Sequence, residues 1–292
     1  MRTPRPGACQ GFSLVELLIA LAIMLLVTGG AFALMVSYQR SYASNVLQSN
    51  LHAGLRSATD LLAQEVSQAG LLSFAPTTLT AAVTGGASAQ TVSVGSTAGM
   101  FIGEKLLIDV GTSQETVTIT GVGSSTVTAI IPRTHASGAL VAAVGVFPQG
   151  ILSSSTATQL RMFGDINANG TLVYVRYDCS AAAGTLSRSV TPITAATSTP
   201  AVVLVTGVTA NPGGTACFRY TSTTVSGYTF ITSVSLTLTA RTTQVDPGTR
   251  QFVSETKTFN GLSARNVLAG LALATAGLTG QLQATPPGIP LS

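Results

Sequence analysis

The pattern of apolar and polar residues divides the chain into an apolar N-terminal segment, an amphipathic segment and a long β-prone remainder. Residues 17–36 contain no charged side chain and are almost all apolar. As a helix they would rise roughly 30 Å, which matches the hydrocarbon thickness of a bilayer. We therefore predict a membrane-spanning and assembly helix over residues 12–38.

A second helical pattern continues beyond this span. Its apolar residues recur at spacings of three and four, which is typical of a helix with one buried face. Gly70 provides a stop signal, and Pro76 follows it. We predict an amphipathic helix over residues 39–72 that packs on its own globular domain. Its stripe comprises Leu47, Leu51, Leu55, Ala58, Leu62, Val66 and Ala69, and Arg56, Asp60 and Gln64 lie off the stripe.

After Pro76 the sequence consists of short β-prone runs separated by clusters of Gly, Ser and Thr. The first block, residues 78–146, is predicted to be a β-rich module inserted between the helix and the main sheet. Its β-prone runs are residues 91–94, 105–109, 116–120, 126–131 and 140–146.

The second block, residues 147–266, is predicted to be the main β domain. Residues 233–240 alternate in polarity, and residues 252–259 can return as their antiparallel partner across the turn at 246–248. Residues 267–292 are predicted to be a flexible tail. The predicted fold class is α+β, a long N-terminal helix packed on an antiparallel β-sheet domain that carries the inserted β-rich module.

A single carboxylate, Glu16, stands at the start of the apolar segment. Burying an ionised Glu in hydrocarbon costs about 2.5 kcal/mol or more, so an acid at this place indicates a functional role with a partner. Arg2 and Arg5 precede the segment, and this charge bias favours a cytoplasmic N-terminus.

The run Gly11-Phe12-Ser13-Leu14-Val15-Glu16 resembles the cleavage and methylation signal of type IV prepilins and pseudopilins. The resemblance implies that a prepilin peptidase removes the leader 1–11 and methylates the new N-terminal Phe12. It also implies that Glu16 neutralises the amine of an adjacent subunit and sets the assembly register. Independently of the resemblance, the cut would place a cationic amine one helical turn from Glu16, and an apolar medium favours their pairing.

Within the second block, the order of Asp165 to Tyr177, Cys179 and Leu186 to Arg188 is similar to that of PilW-type minor pilins and the related J-type pseudopilins. This resemblance implies a non-enzymatic minor pilin of a type IV pilus, acting in initiation or at the tip. The alternative is a J-type pseudopilin of a type II secretion system.

The same resemblance implies the partners and the location of the protein. The expected partners are other pilin or pseudopilin subunits and the inner-membrane assembly platform. The expected location is the inner membrane before assembly, with a periplasmic C-terminal domain, and then the pilus at the cell surface.

An alternative of another class also fits the N-terminus. Ala31-Phe32-Ala33 follows an apolar core, as at the end of an ordinary secretory signal peptide, and would leave a mature chain that starts at Leu34. The protein would then be an exported β-rich adhesin or enzyme. Glu16 inside the apolar core and the match around Gly11 argue against this interpretation.

The chain contains three cysteines, of which Cys9 lies in the leader. Cys179 and Cys217 remain as an even pair in an exported domain, where an oxidising compartment permits a disulfide. We predict a disulfide between them, with two free buried thiols as the alternative.

A partial calcium motif precedes one of the predicted strands. Asp165, Asn167 and Asn169 alternate and Gly170 follows, as in the first half of a calcium loop. Arg176 stands where an EF-hand requires its bidentate Glu, so an EF-hand is excluded. The same side chains also stabilise plain turns, which is the alternative. Calcium is the one cofactor that the sequence suggests.

Charge and catalytic chemistry are both sparse. Only 8% of the residues are charged, the cations are scattered, and Trp is absent, so nucleic-acid binding is not predicted. No serine-nucleophile elbow, zinc-binding helix motif or phosphate-binding glycine loop is present. His52 falls on the predicted helix, and His135 is predicted to be a solvated turn residue. We therefore predict that the protein is not an enzyme.

Overall fold

The computed structural model describes residues 12–72, 76–195 and 197–287. The predicted leader 1–11, with Gly11 at the cleavage site, and residues 288–292 of the predicted tail lie outside the described residues. The described chain forms two compact units, one of residues 12–50 with 244–253, the other of residues 51–243 with 254–287. The fold class is α+β, as predicted, with one long N-terminal helix and a large antiparallel β domain.

The long helix is α1 (Leu14–Gln68). In its C-terminal part, the predicted apolar stripe is buried from Leu55 to Ala69, and Arg56 and Asp60 are exposed. The stripe packs against the main β core because a spacing of three and four places its members on one side of the helix. The predicted amphipathic pattern is confirmed here.

Helix α1 stops where the glycine signal predicts. Gly70 adopts a positive φ of 78°, which side chains with a Cβ rarely adopt. Its N–H donates to the carbonyl oxygen of Phe163 at 2.8 Å, and an added Cβ would lie 2.9 Å from the carbonyl oxygen of Phe147. The chain therefore needs glycine here, both for its backbone conformation and for the close approach.

Six short strands form the first sheet. They are β1 (Thr77–Thr78), β2 (Ala89–Ser93), β3 (Lys105–Ile108), β4 (Glu115–Val122), β5 (Thr126–Ile130) and β6 (Leu140–Ala143). Their order is β1-β6-β3-β4-β5-β2, and all pairs are antiparallel. Alternation buries Val117 and Ile119 of β4 in a hydrophobic cluster whose described members run from Leu79 to Val141. Strands β2 to β6 lie at the β-prone runs that the sequence indicates.

The second sheet contains β7 (Gln159–Gly164), β8 (Val173–Ser180), β9 (Thr185–Pro192) and β10 (Val202–Thr206), in the order β10-β9-β8-β7. The third contains β11 (Val208–Thr209), β12 (Phe218–Val225), β13 (Tyr228–Arg241) and β14 (Ser254–Ser263). Strand β13 pairs with the other three. The predicted antiparallel pairing of the last two strands is confirmed, since Leu238 lies opposite Lys257.

The expectation of a flexible tail after residue 266 is wrong for most of its length. Residues Arg265–Thr275 form a second helix, α2, whose Val267 and Ala274 are buried in the main core. Leu282 forms a bridge with Val146, and Gln283 is buried. The Ala, Gly and Leu composition is typical of a mobile segment, but here it allows close packing. Gly270 lies against Val146, and a Cβ added to Gly270 would come within 3.1 Å of Val146 Cγ2.

Candidate functional site

The N-terminal turn of α1 is closed by two side chains of the predicted cleavage signal. Glu16 Oε2 accepts the N–H of Ser13 at 3.1 Å, and Ser13 Oγ accepts the N–H of Val15 at 3.4 Å. This arrangement is a variant of the capping box: Glu16 accepts the N–H of the N-cap serine three residues earlier, and the serine hydroxyl accepts an N–H of the first turn. The Ser-x-x-Glu spacing of residues 13–16 is the sequence signal for such a cap, and it was not among the predictions made from the sequence.

Glu16 therefore lies in the first turn of α1, as expected, with its carboxylate directed at the N-terminal end of the helix. An anion at this end is favoured by the helix dipole. Phe12, the predicted new N-terminus, is largely exposed. The geometry brings Glu16 together with the backbone next to Phe12, while Gly11 is not among the described residues.

The apolar residues that follow are exposed, in contrast to the apolar stripe further along the same helix. Within the described chain, α1 is the one helix long and apolar enough to cross a membrane. Its large apolar side chains are exposed from the first turn to Val36. A surface of this extent is typical of a segment that lies in lipid or packs against other apolar helices, which is consistent with a membrane-anchored protein of the pilin type.

A family model described as the prokaryotic N-terminal methylation motif matches residues 7–32. The matched segment includes Phe12, Glu16 and most of the exposed apolar helix. This motif is type IV pilin-like and indicates processing by a prepilin peptidase and assembly with other pilins. No curated protein and no solved structure matches the chain significantly.

The structure contains the predicted disulfide between Cys179 and Cys217, with a Cα–Cα distance of 6.5 Å. Cys179 belongs to β8, and Cys217 directly precedes β12. Both residues lie in the main hydrophobic core. The bond therefore joins the second sheet to the third.

Asp165, first residue of the partial calcium motif, is fully buried. Its Oδ1 accepts the N–H of Asn169 at 2.9 Å, and its Oδ2 accepts the N–H of Gly170 at 2.8 Å. Asn169 Oδ1 in turn accepts the N–H of Thr171 at 3.0 Å, and Asn167 is exposed. These contacts are those of a turn stabilised by its own side chains. Among the described residues, no group of three or more His, Cys, Asp or Glu side chains could hold a metal ion.

A buried polar cluster connects α1 to the second sheet. Glu65 on α1 is almost fully buried, and the Arg188 guanidinium donates to both of its carboxylate oxygens, with Nε 3.0 Å from Oε2. The Tyr177 hydroxyl donates to the same Oε2 at 2.5 Å. Burial, with the Glu65 charge beside it, raises the pKa of Tyr177, which keeps the hydroxyl a donor. Glu65 is not predicted from the sequence, because helical periodicity does not show which partners face a polar residue.

His135 is buried, so the prediction of a solvated turn residue is wrong. Its Nδ1 lies 3.1 Å from Asp109 Oδ2, and its Nε2 lies 2.7 Å from Glu115 Oε1. Its backbone exchanges two hydrogen bonds of 2.9 Å with Val83. The Pro-Arg-Thr sequence before His135 indicates a loop, but it carries no information about the distant residues that pack on that loop.

The two carboxylates favour a protonated His135. Burial lowers the pKa of His135, but its hydrogen bonds to Glu115 and Asp109 raise it, and the net direction is upward. The same hydrogen bond from His135 holds the pKa of Asp109 below its usual range. An imidazolium can donate to both carboxylates at once, so it fastens the end of β3 and the start of β4 to the loop after β5.

Proposed function

We propose that this protein is a structural minor pilin of a type IV pilus, of the PilW type, acting in initiation or at the tip of the filament. The observation that carries the proposal is the N-terminal methylation motif directly before a 55-residue helix whose first part exposes apolar side chains. A prepilin peptidase cuts between Gly11 and Phe12, and the retained helix then packs among the helices of other subunits.

The location follows from the same helix. Before assembly, the chain lies in the inner membrane with its N-terminus in the cytoplasm and its β domain in the periplasm, and afterwards in the pilus at the cell surface. The disulfide between Cys179 and Cys217 supports an oxidising compartment for the β domain.

Glu16 supplies the chemistry of assembly in this proposal. Its carboxylate is held at the helix start by the Ser13 N–H, yet each oxygen can accept a further hydrogen bond. Cleavage supplies the cationic amine of Phe12, on its own subunit or on an adjacent one. In an apolar filament core, a lone charge is costly and a paired one is tolerated, so the pairing selects one register.

Sheared and purified fibres provide the test. Mass spectrometry of the N-terminus should find methylated Phe12, and Glu16→Gln should reduce incorporation strongly. Asp60→Asn is the matched control, because Asp60 is an exposed acid of the same helix, and its ion pair with Arg56 lies at the surface. A functional protein that starts at Met1, or normal incorporation of Glu16→Gln, contradicts the proposal.

The order of residues 165–188 supports a second candidate of the same class, a J-type pseudopilin of a type II secretion system. Deleting the gene separates the two, because loss of surface pili with normal secretion supports the pilin. The exported adhesin of another class is separated by the same N-terminal analysis, since it would begin at Leu34 and be absent from the fibres.

A further inference from the structure

We propose that helix residues 37–45 and the loop Gln244–Val253 form a binding site for the phosphate of a phospholipid headgroup at the non-cytoplasmic membrane surface. The inference rests on the membrane insertion of the proposed function. Both segments belong to the unit of residues 12–50 with 244–253. The motif match ends at residue 32, before either segment begins.

The two segments line an open polar cavity of about 370 Å³. Helix α1 contributes Ser37, Arg40 and Ser41 to its wall, and the loop contributes Gly248 and Thr249. The side chains offer hydroxyl groups and a guanidinium, which are the donors that bind phosphate oxygens in proteins. No ion pair joins Arg40 to any other residue that the structure describes.

The position of the cavity along α1 places it at headgroup depth. The charge-free apolar segment ends at Val36, and the cavity wall begins with the next residue. Tyr38 and Tyr42 are both exposed on this part of the helix. Tyrosine is enriched at the membrane interface, and an Arg just beyond a span reaches the same layer. Tyr38, Arg40 and Tyr42 therefore all indicate that this part of the helix lies at the depth of the headgroups.

Asp246 fastens the loop to the helix. Its Oδ2 accepts the Ser44 hydroxyl at 2.5 Å, and its Oδ1 accepts the N–H of Gly248 at 2.6 Å and of Thr249 at 3.1 Å. The Ser44 hydrogen bond, with those of the loop backbone, holds the pKa of Asp246 below its usual range. The carboxylate is buried and accepts hydrogen bonds from three donors, so among the residues that line the cavity Arg40 is the charged group that a ligand can reach.

The loop itself has the character of a membrane-contacting segment. Val245 and Phe252 expose 46% and 45% of their surface, and Arg250 lies between them in the sequence. Exposed apolar side chains next to a cation are typical of segments that lie in the interface of a bilayer with anionic lipids. The loop therefore supplies apolar contacts beside the cavity that takes the phosphate.

Tryptophan fluorescence tests the depth, because the chain contains no Trp and one substitution gives a single reporter. The mature full-length variants Val245→Trp and Leu26→Trp are placed in bilayers with lipids brominated either near the headgroup or near the chain end. Leu26 lies in the middle of the apolar segment, so its Trp should be quenched best by the deep bromines. Val245→Trp should be quenched best by the shallow ones.

These two reporters separate the failure of the site from the failure of the proposed function. Deep quenching of the Leu26 reporter with no quenching of the Val245 reporter overturns the headgroup site alone. Absence of quenching in both variants overturns membrane insertion, and the headgroup site with it.

Lipid retention tests the phosphate contact. The mature full-length protein in detergent is mixed with phosphatidylglycerol, and bound lipid is counted by native mass spectrometry. Arg40→Gln should weaken retention about tenfold, the effect of losing a charge-assisted hydrogen-bonding group, whereas Arg56→Gln should leave it unchanged. Equal retention by the two variants overturns the proposal. If the lipid stays bound in an excess of inorganic phosphate, the phospholipid is the ligand. If inorganic phosphate displaces the lipid, the proposal that the phosphate belongs to a phospholipid headgroup is overturned.

Discussion

The side chain of Gln283 pairs with the backbone of Lys105 in both directions. Its Oε1 accepts the Lys105 N–H at 2.8 Å, and its Nε2 donates to the Lys105 carbonyl oxygen at 2.8 Å. The same Nε2 also donates to the Val144 carbonyl oxygen at 2.5 Å. One amide near the end of the chain therefore satisfies three backbone groups at the first sheet.

Replacing Gln283 by Ala should destabilise the protein by about 1–3 kcal/mol, because backbone groups would be left buried without partners. The measurement is urea unfolding, with Gln281→Ala as the matched control, since Gln281 is exposed two residues earlier. Equal midpoints for the two variants would show that water replaces the lost amide without cost.

Glu65→Ala should be the more damaging change, with a loss of about 3–5 kcal/mol, because it leaves the Arg188 charge without its buried partner. Replacing both Glu65 and Arg188 by Met should lower the free energy of unfolding less than Glu65→Ala alone does. Thermal or denaturant unfolding measures both, and Asp60→Asn on the exposed face serves as control. If the double Met variant is less stable than Glu65→Ala, the ion pair itself stabilises the fold more than an apolar replacement does.

The His135 cluster predicts a pH dependence. The pKa of His135 is raised in the folded protein. Its contribution to the free energy of unfolding is therefore complete below the unfolded pKa of about 6.5, and it is lost as the pH rises through the pKa of the folded protein. The pKa of Asp109 is lowered, so its contribution is present above the unfolded value of about 3.9 and is lost only on acidification. Stability of the first sheet should therefore decline on the alkaline side of about pH 6.5.

Hydrogen exchange of the amides in β3, β4 and β5, followed across this range, measures the effect. The charged groups around the imidazole are Asp109 and Glu115, with Arg133 donating its backbone N–H to Glu115. His135→Gln should flatten the pH dependence, and His52→Gln, which changes an exposed histidine, should retain it. An unchanged slope in His135→Gln would assign the titration to another group.

Removing the disulfide by Cys179→Ser with Cys217→Ser should lower stability by about 3–4 kcal/mol in the chain-entropy model. The reduced wild type should unfold at nearly the same denaturant concentration as the double variant. A large difference between the two denaturant midpoints would mean that the serines disturb the core in addition to removing the disulfide.

Local patterns predicted the elements well. The spacing of Leu55 to Ala69 identified the buried helix face, and strands β3 and β5 begin at the predicted residues, Lys105 and Thr126. The hairpin of β13 and β14 was also predicted, because alternation and a turn motif are both encoded within a few neighbouring residues.

Contacts between distant segments were not predictable in this way. Gln283 meets Lys105 across 178 residues, and Glu65 meets Arg188 across 123. His135 has no local sign that two acids will face it. A polar residue in an apolar context shows that some partner exists, as Glu16 does, but only the fold identifies the partner.

The cap at the start of α1 has a consequence for maturation. Its hydrogen bonds use Ser13, Val15 and Glu16, all of which lie after the proposed cut. The proposed cleavage would therefore leave this cap, and the helix that begins at it, within the retained chain. In the proposed maturation, the peptidase would add a positive charge beside a helix start whose side-chain hydrogen bonds are already formed.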